Sequence, residues 1–405
     1  MMICVNSEFL GTRQHLIYQV DDGEYYWSTH VPEGTWIFGS YNSLYSLDTL
    51  FELLRVEKPV IAVDAHIKSF KVLSQDILSD IPWHQVLPPH EFKRLILKLI
   101  TGLEGTLRGF IKTNYMETFI SKRTTLLSLS RAVVDRPLLA SYIRDEENAT
   151  VRSTLRTFLP DHDLRTRPIV YNQTGTVTGR LTVKSGPQVL TLPKKYRDIL
   201  VSKHPSGSIV QVDFTSLEPR VARLATGLSA NDDVYMQLSH ELFNSDLKRE
   251  EVKIAVLCAL YGVSKRRLSK MVGKKFKADT IIREIREFFG IPKLVKSLRA
   301  QLSDDHKIRN HFGRIIEPDK AEDNILVNYY VQSSATDASI LGFQCLLNSI
   351  SDLDIDPLFI IHDALVLDVS PDSMQKLGEA IKNGIDVPTM GNFPVELSTI
   401  NDSRE

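Results

Sequence analysis

Cysteine is scarce in this chain: three in 405 residues, Cys4, Cys258 and Cys345, with no CxxC pair. That argues against a disulfide framework and a thiolate zinc site, so a catalytic metal would have to sit on oxygen ligands. Long apolar runs are missing too, since no stretch approaches the ~18 residues that a membrane span requires. The N-terminal MMICVNSEFLG lacks the basic segment and apolar core of an export signal. A cytoplasmic protein with no membrane partner is therefore expected. There is no internal repeat or low-complexity tract, and neither sign of charge dominates, with 49 Lys+Arg against 50 Asp+Glu. What is present, 42% hydrophobic and 24% charged residues, is the composition of a globular chain with room for two or three domains.

The near-zero net charge hides local excess. Between Glu91 and Arg131 eight Lys/Arg face three Glu, and SKRRLSKMVGKKFK at 264–277 has seven basic residues and no acid. Either run alone could be a solvated helix surface. Two of them flanking a candidate catalytic region point to a polyanionic partner. Residues 1–85 alternate short β-like runs (MICV, LIYQV, EYYWSTHV, TWIFG, PVIAVD) with the helical pattern SLDTLFELLRV, which predicts a small α/β or α+β unit. Pro82, Pro88 and Pro89 punctuate the chain there. Residues 86–170 read as a basic helical arm, and the rest alternates strands and helices. The expected class is a multidomain α/β and α+β chain.

Asp213 closes the apolar strand SIVQVD and opens DFTSLEPRVARLA, a predicted helix with Thr215 or Ser216 as cap and Pro219 in its first turn. Asp363 occupies the turn of a predicted hairpin between LFII and LVLDV. If the two strands are neighbours in one sheet, both carboxylates converge at one edge. Such a pair suits Mg²⁺, which takes one or two carboxylates and completes its sphere with water and phosphate. Two such ions could clamp the attacking and leaving oxygens of a phosphoryl transfer. Taken singly, each aspartate is also what a helix start or a tight turn carries. Between them, in KREEVKIAVLCALYG, Arg249, Lys253, Leu257 and Tyr261 recur every fourth residue and share one helix face. Two cations one turn apart can hold a triphosphate, with an apolar shelf and a ring beyond. A solvated stripe beside a core edge is the other reading of that spacing.

These residues resemble the family A DNA polymerases. DFTSLEPR is similar to the family's motif A, Arg249-x3-Lys253-x7-Tyr261-Gly262 to motif B, and HDALVLDV to motif C. TGRL at 178–181, NHFGRI at 310–315 and NYYVQSSATD at 328–337 resemble three further elements, in order, over about residues 170–400. The resemblance implies a right-hand polymerase fold: thumb at 86–170, palm and fingers at 171–405, the fingers about 230–300. It implies that Asp213 and Asp363 hold two Mg²⁺ ions, with Mn²⁺ able to substitute. Glu218 would be the steric gate against a ribose 2′-OH, and Arg249 and Lys253 would grip the incoming dNTP beside Leu257 and Tyr261, with Lys253 also catalytic. Primer–template DNA would meet Arg180, Arg314, Asn328, Gln332 and His362. The basic run Lys265, Arg266, Arg267, Lys270, Lys274 and Lys275 would lie in the fingers. Partners implied are primer–template DNA, dNTPs and replisome proteins such as a helicase, primase or processivity factor.

The chain departs from the pattern in places. Leu257 stands where the family has Phe or Tyr, Ala364 replaces the Glu after the motif C aspartate, and Leu190-Thr191 replaces Gln-Asn. These departures are those of a divergent, phage-type or mobile-element enzyme acting in a bacterium or a phage-infected cell. ICVNSEF at 3–9 and AVDAHIKSFKVL at 62–73 resemble elements of a 3′–5′ exonuclease of RNase H-like fold. Asn6 replaces the first acid, Glu8 remains, and Ser69 stands near a second metal-binding Asp, so no proofreading is expected. An unrelated α/β cap is the alternative for residues 1–85. For the whole chain the rivals are a single-subunit RNA polymerase, against which Glu218 argues, and an inactive DNA-binding replisome subunit.

Overall fold

The computed structural model describes residues 2–19, 24–39, 49–50, 84, 87–110, 115–228, 233–243, 247–262, 265–272 and 277–400. Contacts divide the chain into two units, Met1–Met116 and Glu117–Glu405. Among the described residues no helix is long and apolar enough to cross a membrane.

The first unit contains β1 (Met2–Val5), α1 (Ser7–Leu10), β2 (His15–Gln19), β3 (Glu24–Ser28), β4 (Thr35–Phe38) and α2 (Pro89–Phe110). Its described strands form one sheet in the order β3-β2-β1-β4, antiparallel except for β4 beside β1. Each coincides with an apolar run read from the sequence. PVIAVD, most of SLDTLFELLRV, and Ser69 lie outside the described residues. Asn6 caps α1 by accepting from the Glu8 N–H at 2.8 Å, and Gly11 ends it in the left-handed region at φ 61°. A Cβ on Gly11 would meet His84 at 2.6 Å, and the His84 ring packs edge-on against Phe92 of α2, 6.0 Å between centroids. That stack ties α2 to the N-terminal sheet. The division at residue 116 puts α2, expected to open the thumb, with the first unit.

The second unit runs α3 (Tyr115–Leu127), β5 (Val133–Val134), α4 (Arg136–Asp145), α5 (Ala149–Arg156), β6 (Val170–Asn172), β7 (Thr182–Ser185), β8 (Leu200–Val201) and β9 (Ser208–Phe214). It continues with α6 (Leu217–Ala225), α7 (Val234–Phe243), α8 (Arg249–Tyr261), α9 (Lys265–Val272), α10 (Ala278–Phe288), α11 (Ile291–Asp305), β10 (Ile308–Arg309) and β11 (Ile315–Ile316). The last elements are α12 (Asp323–Ser349), β12 (Ile355–Ile361), β13 (Ala364–Val369), α13 (Pro371–Ile381), β14 (Ile385–Val387), β15 (Gly391–Phe393) and β16 (Val395–Thr399). β12, β13, β9 and β16 make an antiparallel sheet in that order. Every residue of β13 is buried, as the unbroken apolar run LVL within ALVLDV requires of a central strand. Phe214 packs against Phe343 of α12 at 5.1 Å, and Gly342 makes room for it, since a Cβ there would stand 2.8 Å from the ring. Neighbouring side chains in a strand point to opposite faces, so anchoring Phe214 on α12 turns Asp213 the other way.

One fully buried ion cluster ties the unit together. Asp337 of α12 pairs with Lys122 of α3 and with Arg314, whose Nη2 donates to Oδ1 at 3.0 Å and Nε to Oδ2 at 3.2 Å; all three side chains are wholly buried. Asn310 Nδ2 adds a bond to Asp337 at 2.7 Å. The two cations hold the Asp337 carboxyl well below its ordinary range, while burial pulls the Lys122 ammonium down to about 8. The reading of Arg314 as a DNA contact is thus corrected. Its guanidinium is spent on Asp337, and it lies so close to Gly179 of TGRL that a Cβ there would stand 2.3 Å from Cζ. Glycine at 179, at φ 72°, is what lets the two elements interlock. Asp337→Asn leaves two buried cations without a counter-charge. It should cost about 3–5 kcal/mol, read as a lowered midpoint in urea denaturation of the full chain.

Candidate active site

The hairpin and the strand pairing build the site. β12 and β13 are joined by His362 and Asp363, and His362 accepts the positive φ (57°) that a two-residue turn demands. β13 pairs with β9 so that Ala364 lies opposite Asp213. Asp213 and Asp363, far apart in sequence, thus reach the same sheet edge. At the end of β9 the Arg220 Nε donates to the Thr215 carbonyl at 3.0 Å, fixing the bend into α6. Ser216 stands at the N-cap in the left-handed region without a side-chain capping bond.

Helix α8 borders this edge. Val252, Ala255, Val256, Cys258, Ala259 and Leu260 are buried on one side. Arg249, Lys253 and Leu257 line a cleft of about 310 Å³ together with Asp213, Asp363, Glu218 and Glu396. Tyr261, one turn on, donates from its hydroxyl to Glu218 Oε2 at 2.5 Å, while Arg180 Nη2 donates to Oε1 at 2.6 Å. A second cleft of about 380 Å³ shares Glu218 and Asp363 with the first and adds Arg180, Leu190, Thr336 and His362.

Electrostatics single out Asp213. Burial first, then Asp363 and Glu396, push its carboxyl up to about 7, against a smaller pull from Lys194 and Lys253. Its Oδ1 is buried without a hydrogen-bond partner among the described residues. Burial likewise raises Asp363, with Glu218 adding to it. An orphaned carboxylate oxygen among repelling carboxylates fits a hard divalent cation. No three His, Cys, Asp or Glu side chains among the described residues make a closed cage. Mg²⁺ is suited to a site of that kind, because it relies on water and substrate oxygens for most of its sphere.

The other expected residues divide. Asn328 and Gln332 are half-buried on α12, and Asn328 Oδ1 has no hydrogen-bond partner among the described residues. Arg266 and Lys270 are exposed on α9, which also contains Lys265 and Arg267. Lys274 and Lys275 lie outside the described residues. Two contributors escaped the sequence reading. Asp233, just before α7, accepts from Arg249 Nε at 3.0 Å, and Glu396 pairs with Asp213 from β16. Neither lies in a motif; only the lone acid in the short apolar run FPVEL hinted at the second.

Carboxylates meet a cation-bearing helix across one cleft, an arrangement chemically suited to divalent ions and phosphates. Residues 105–400 match the model of DNA polymerase family A, and the chain belongs to that family. Polymerases of this family generally use divalent metal ions. The chain is 25% identical over 246 residues to DNA polymerase I of Pseudomonas aeruginosa, covering 52% of this chain and 27% of that protein. It is 24% identical over 259 residues to the thermostable DNA polymerase I of Thermus thermophilus, covering 56% and 30%. The matched stretch thus spans less than a third of these curated relatives. Among solved structures it resembles the POL domain of Pol1 from M. smegmatis in complex with DNA primer-template and dNTP. The TM-score is 0.59 at 14% identity, over 96% of this chain and 92% of that one, a likeness of fold.

The raised Asp213 carboxyl has a measurable cost. An unfolded aspartate titrates near ~3.9, so the folded state is penalised increasingly from about that pH up to about 7 and by a constant amount above. Asp213→Asn should therefore raise the thermal midpoint of the metal-free protein, by more at pH 8 than at pH 5.5. Differential scanning calorimetry at the two pH values checks this, and an equal or absent gain would contradict it.

Proposed function

We propose that this chain is a DNA-templated DNA polymerase that adds deoxynucleotides to the 3′ end of a primer. The observation that carries the reading is the meeting of Asp213 and Asp363, from two neighbouring strands, with Arg249 and Lys253 of α8 in one cleft. The two aspartates would hold two Mg²⁺ ions, with Mn²⁺ as a substitute, whose charge would stabilise the transferring phosphoryl group and its attacking and leaving oxygens. Arg249 and Lys253 would take the triphosphate. Lys253, exposed in the cleft, would neutralise the pyrophosphate as it leaves. Glu218, held by Tyr261 and Arg180, presents a fixed carboxylate between the two clefts, where a 2′-OH would be crowded. Leu257 forms an apolar shelf beside it.

The second cleft, with Arg180 and His362, would receive the primer terminus, and Asn328 and Gln332 the neighbouring minor groove. The exposed cations of α9 would hold duplex phosphates without reading sequence. In this reading the sheet with β9 and β13 is the palm, α7–α11 the fingers and α3–α5 the thumb. A gate carboxylate anchored by two donors speaks against an RNA polymerase. A catalytically inactive scaffold would gain nothing from keeping Asp213 at the electrostatic cost described.

Primer extension with dNTPs, rNTPs and Mg²⁺ tests the whole reading. Asp213→Ala and Asp363→Ala should each reduce extension by roughly three orders of magnitude or more, as loss of transition-state charge stabilisation does, while duplex binding persists. Near-normal turnover in either would refute the assignment. Glu218→Ala should raise rNTP use relative to dNTP, measured as the ratio of kcat/KM values.

We also propose that the first unit does not proofread and serves as a brace or docking surface. A neutral amide, Asn6, stands where the exonuclease resemblance calls for a metal-binding acid, and it is occupied in capping α1. Pure protein given a 3′-mismatched primer and Mg²⁺ without nucleotides should leave the primer intact. Stepwise shortening that survives Asp213→Ala would show that the unit cleaves.

A further inference from the structure

We propose that Glu396 supplies the auxiliary carboxylate of this active site, standing in for the glutamate that the chain lacks at position 364. The inference rests on the polymerase reading and deepens it. Asp213 has two direct neighbours across the sheet: Ala364 on β13 and Glu396 on β16. Directly paired residues of antiparallel strands project from the same face, their Cβ atoms roughly 4.5–5.5 Å apart. A carboxylate at either position can therefore serve the ion that Asp213 holds. At 364 the side chain stops at Cβ and is buried. At 396 a glutamate lines the same cleft as Asp213 and Asp363.

The structural alternative is that Glu396 only guards an edge. Exposed edge strands carry charge to discourage pairing with other chains, and β16 is an edge. That accounts for a charge, but not for a negative one directly opposite Asp213, since like charges so placed destabilise a sheet. A lysine would guard the edge and attract Asp213 as well. Glu396 makes no ion pair among the described residues, and it is the only acid on β16. Being exposed on an edge, its side chain is free to turn toward a cation. The carboxylate has thus changed strands and stays next to the same aspartate.

The test uses the full chain and Mn²⁺ alone, followed by the free-ion signal in electron paramagnetic resonance. Glu396→Gln should weaken Mn²⁺ binding roughly tenfold without lowering the thermal midpoint, and should raise the Mg²⁺ needed for half-maximal extension. Adding Ala364→Glu to Glu396→Gln should restore Mn²⁺ affinity. Loss in the single variant without recovery in a folded double variant would overturn the exchange of positions. If position 364 rejects the larger side chain and the double variant fails to fold, the exposed Glu396→Gln decides alone. Unchanged Mn²⁺ affinity in Glu396→Gln, with loss in Asp213→Asn, would overturn this inference and leave the polymerase reading standing. Unchanged affinity in both would remove the metal reading of the cleft itself.

Discussion

The register between β9 and β13 decides everything that happens at the site. A slip of one residue would turn Asp213 toward α12 and bring Phe214 into the cleft, because side chains alternate between the two faces. What prevents the slip is packing on the far face, where Phe214 meets Phe343 and Phe393, and where glycine at 342 leaves the ring its space. The hairpin adds a second restraint. A two-residue turn at His362-Asp363 admits one pairing of β12 with β13, so Asp363 cannot drift along the edge. Apolar packing on one side thereby positions carboxylates on the other.

The polar groups of this unit fall into two classes. The buried cluster of Lys122, Asp337, Arg314 and Asn310 is mutually satisfied and cross-links α3, α12 and the turn between β10 and β11. Such a cluster holds elements in place; it offers nothing to a ligand. In the cleft the pairing is partial. Glu218 is held by two donors and Arg249 by Asp233, while Asp213 keeps an oxygen without a partner and a carboxyl raised by its neighbours. Local electrostatic cost of this kind collects where a ligand is to be bound, and the apolar framework offsets it.

The parts of this site that were legible in the sequence are those encoded by local pattern. A strand ending on Asp213, a two-residue turn at Asp363 and a four-residue stripe on α8 follow from periodicity, and all three are present. Glu396 and Asp233 were not legible, because their roles come from strand pairing and from the return of a loop, and neither sits in a distinctive spacing. Arg314 shows the opposite error. Its place in NHFGRI, which resembles a family element, assigned it to DNA, and only the tertiary arrangement reveals a carboxylate waiting for it on α12. The boundary near residue 85 rested on prolines. His84 lies beside Gly11 and packs against Phe92 on the far side of Pro88 and Pro89, and a break in local chain structure does not by itself interrupt packing.

The pairing of Arg249 with Asp233 bears on what the cleft can bind. Arg249 is half-buried, its guanidinium already satisfied by a carboxylate at 3.0 Å and resting 5.3 Å from the Tyr235 ring centroid. A ligand must replace that carboxylate or share the arginine with it, so a singly charged group has little to offer. A triphosphate carries more charge, meets exposed Lys253 one turn along the same helix, and can use both cations at once. Asp233 holds Arg249 at the cleft through that ion pair. Glu218 is paired in the same way with Arg180, which lines the second cleft. The two ion pairs flank Asp213 and Asp363. Displacing either carboxylate leaves it without its cation, a cost that water limits because Asp233 and Arg180 are partly exposed.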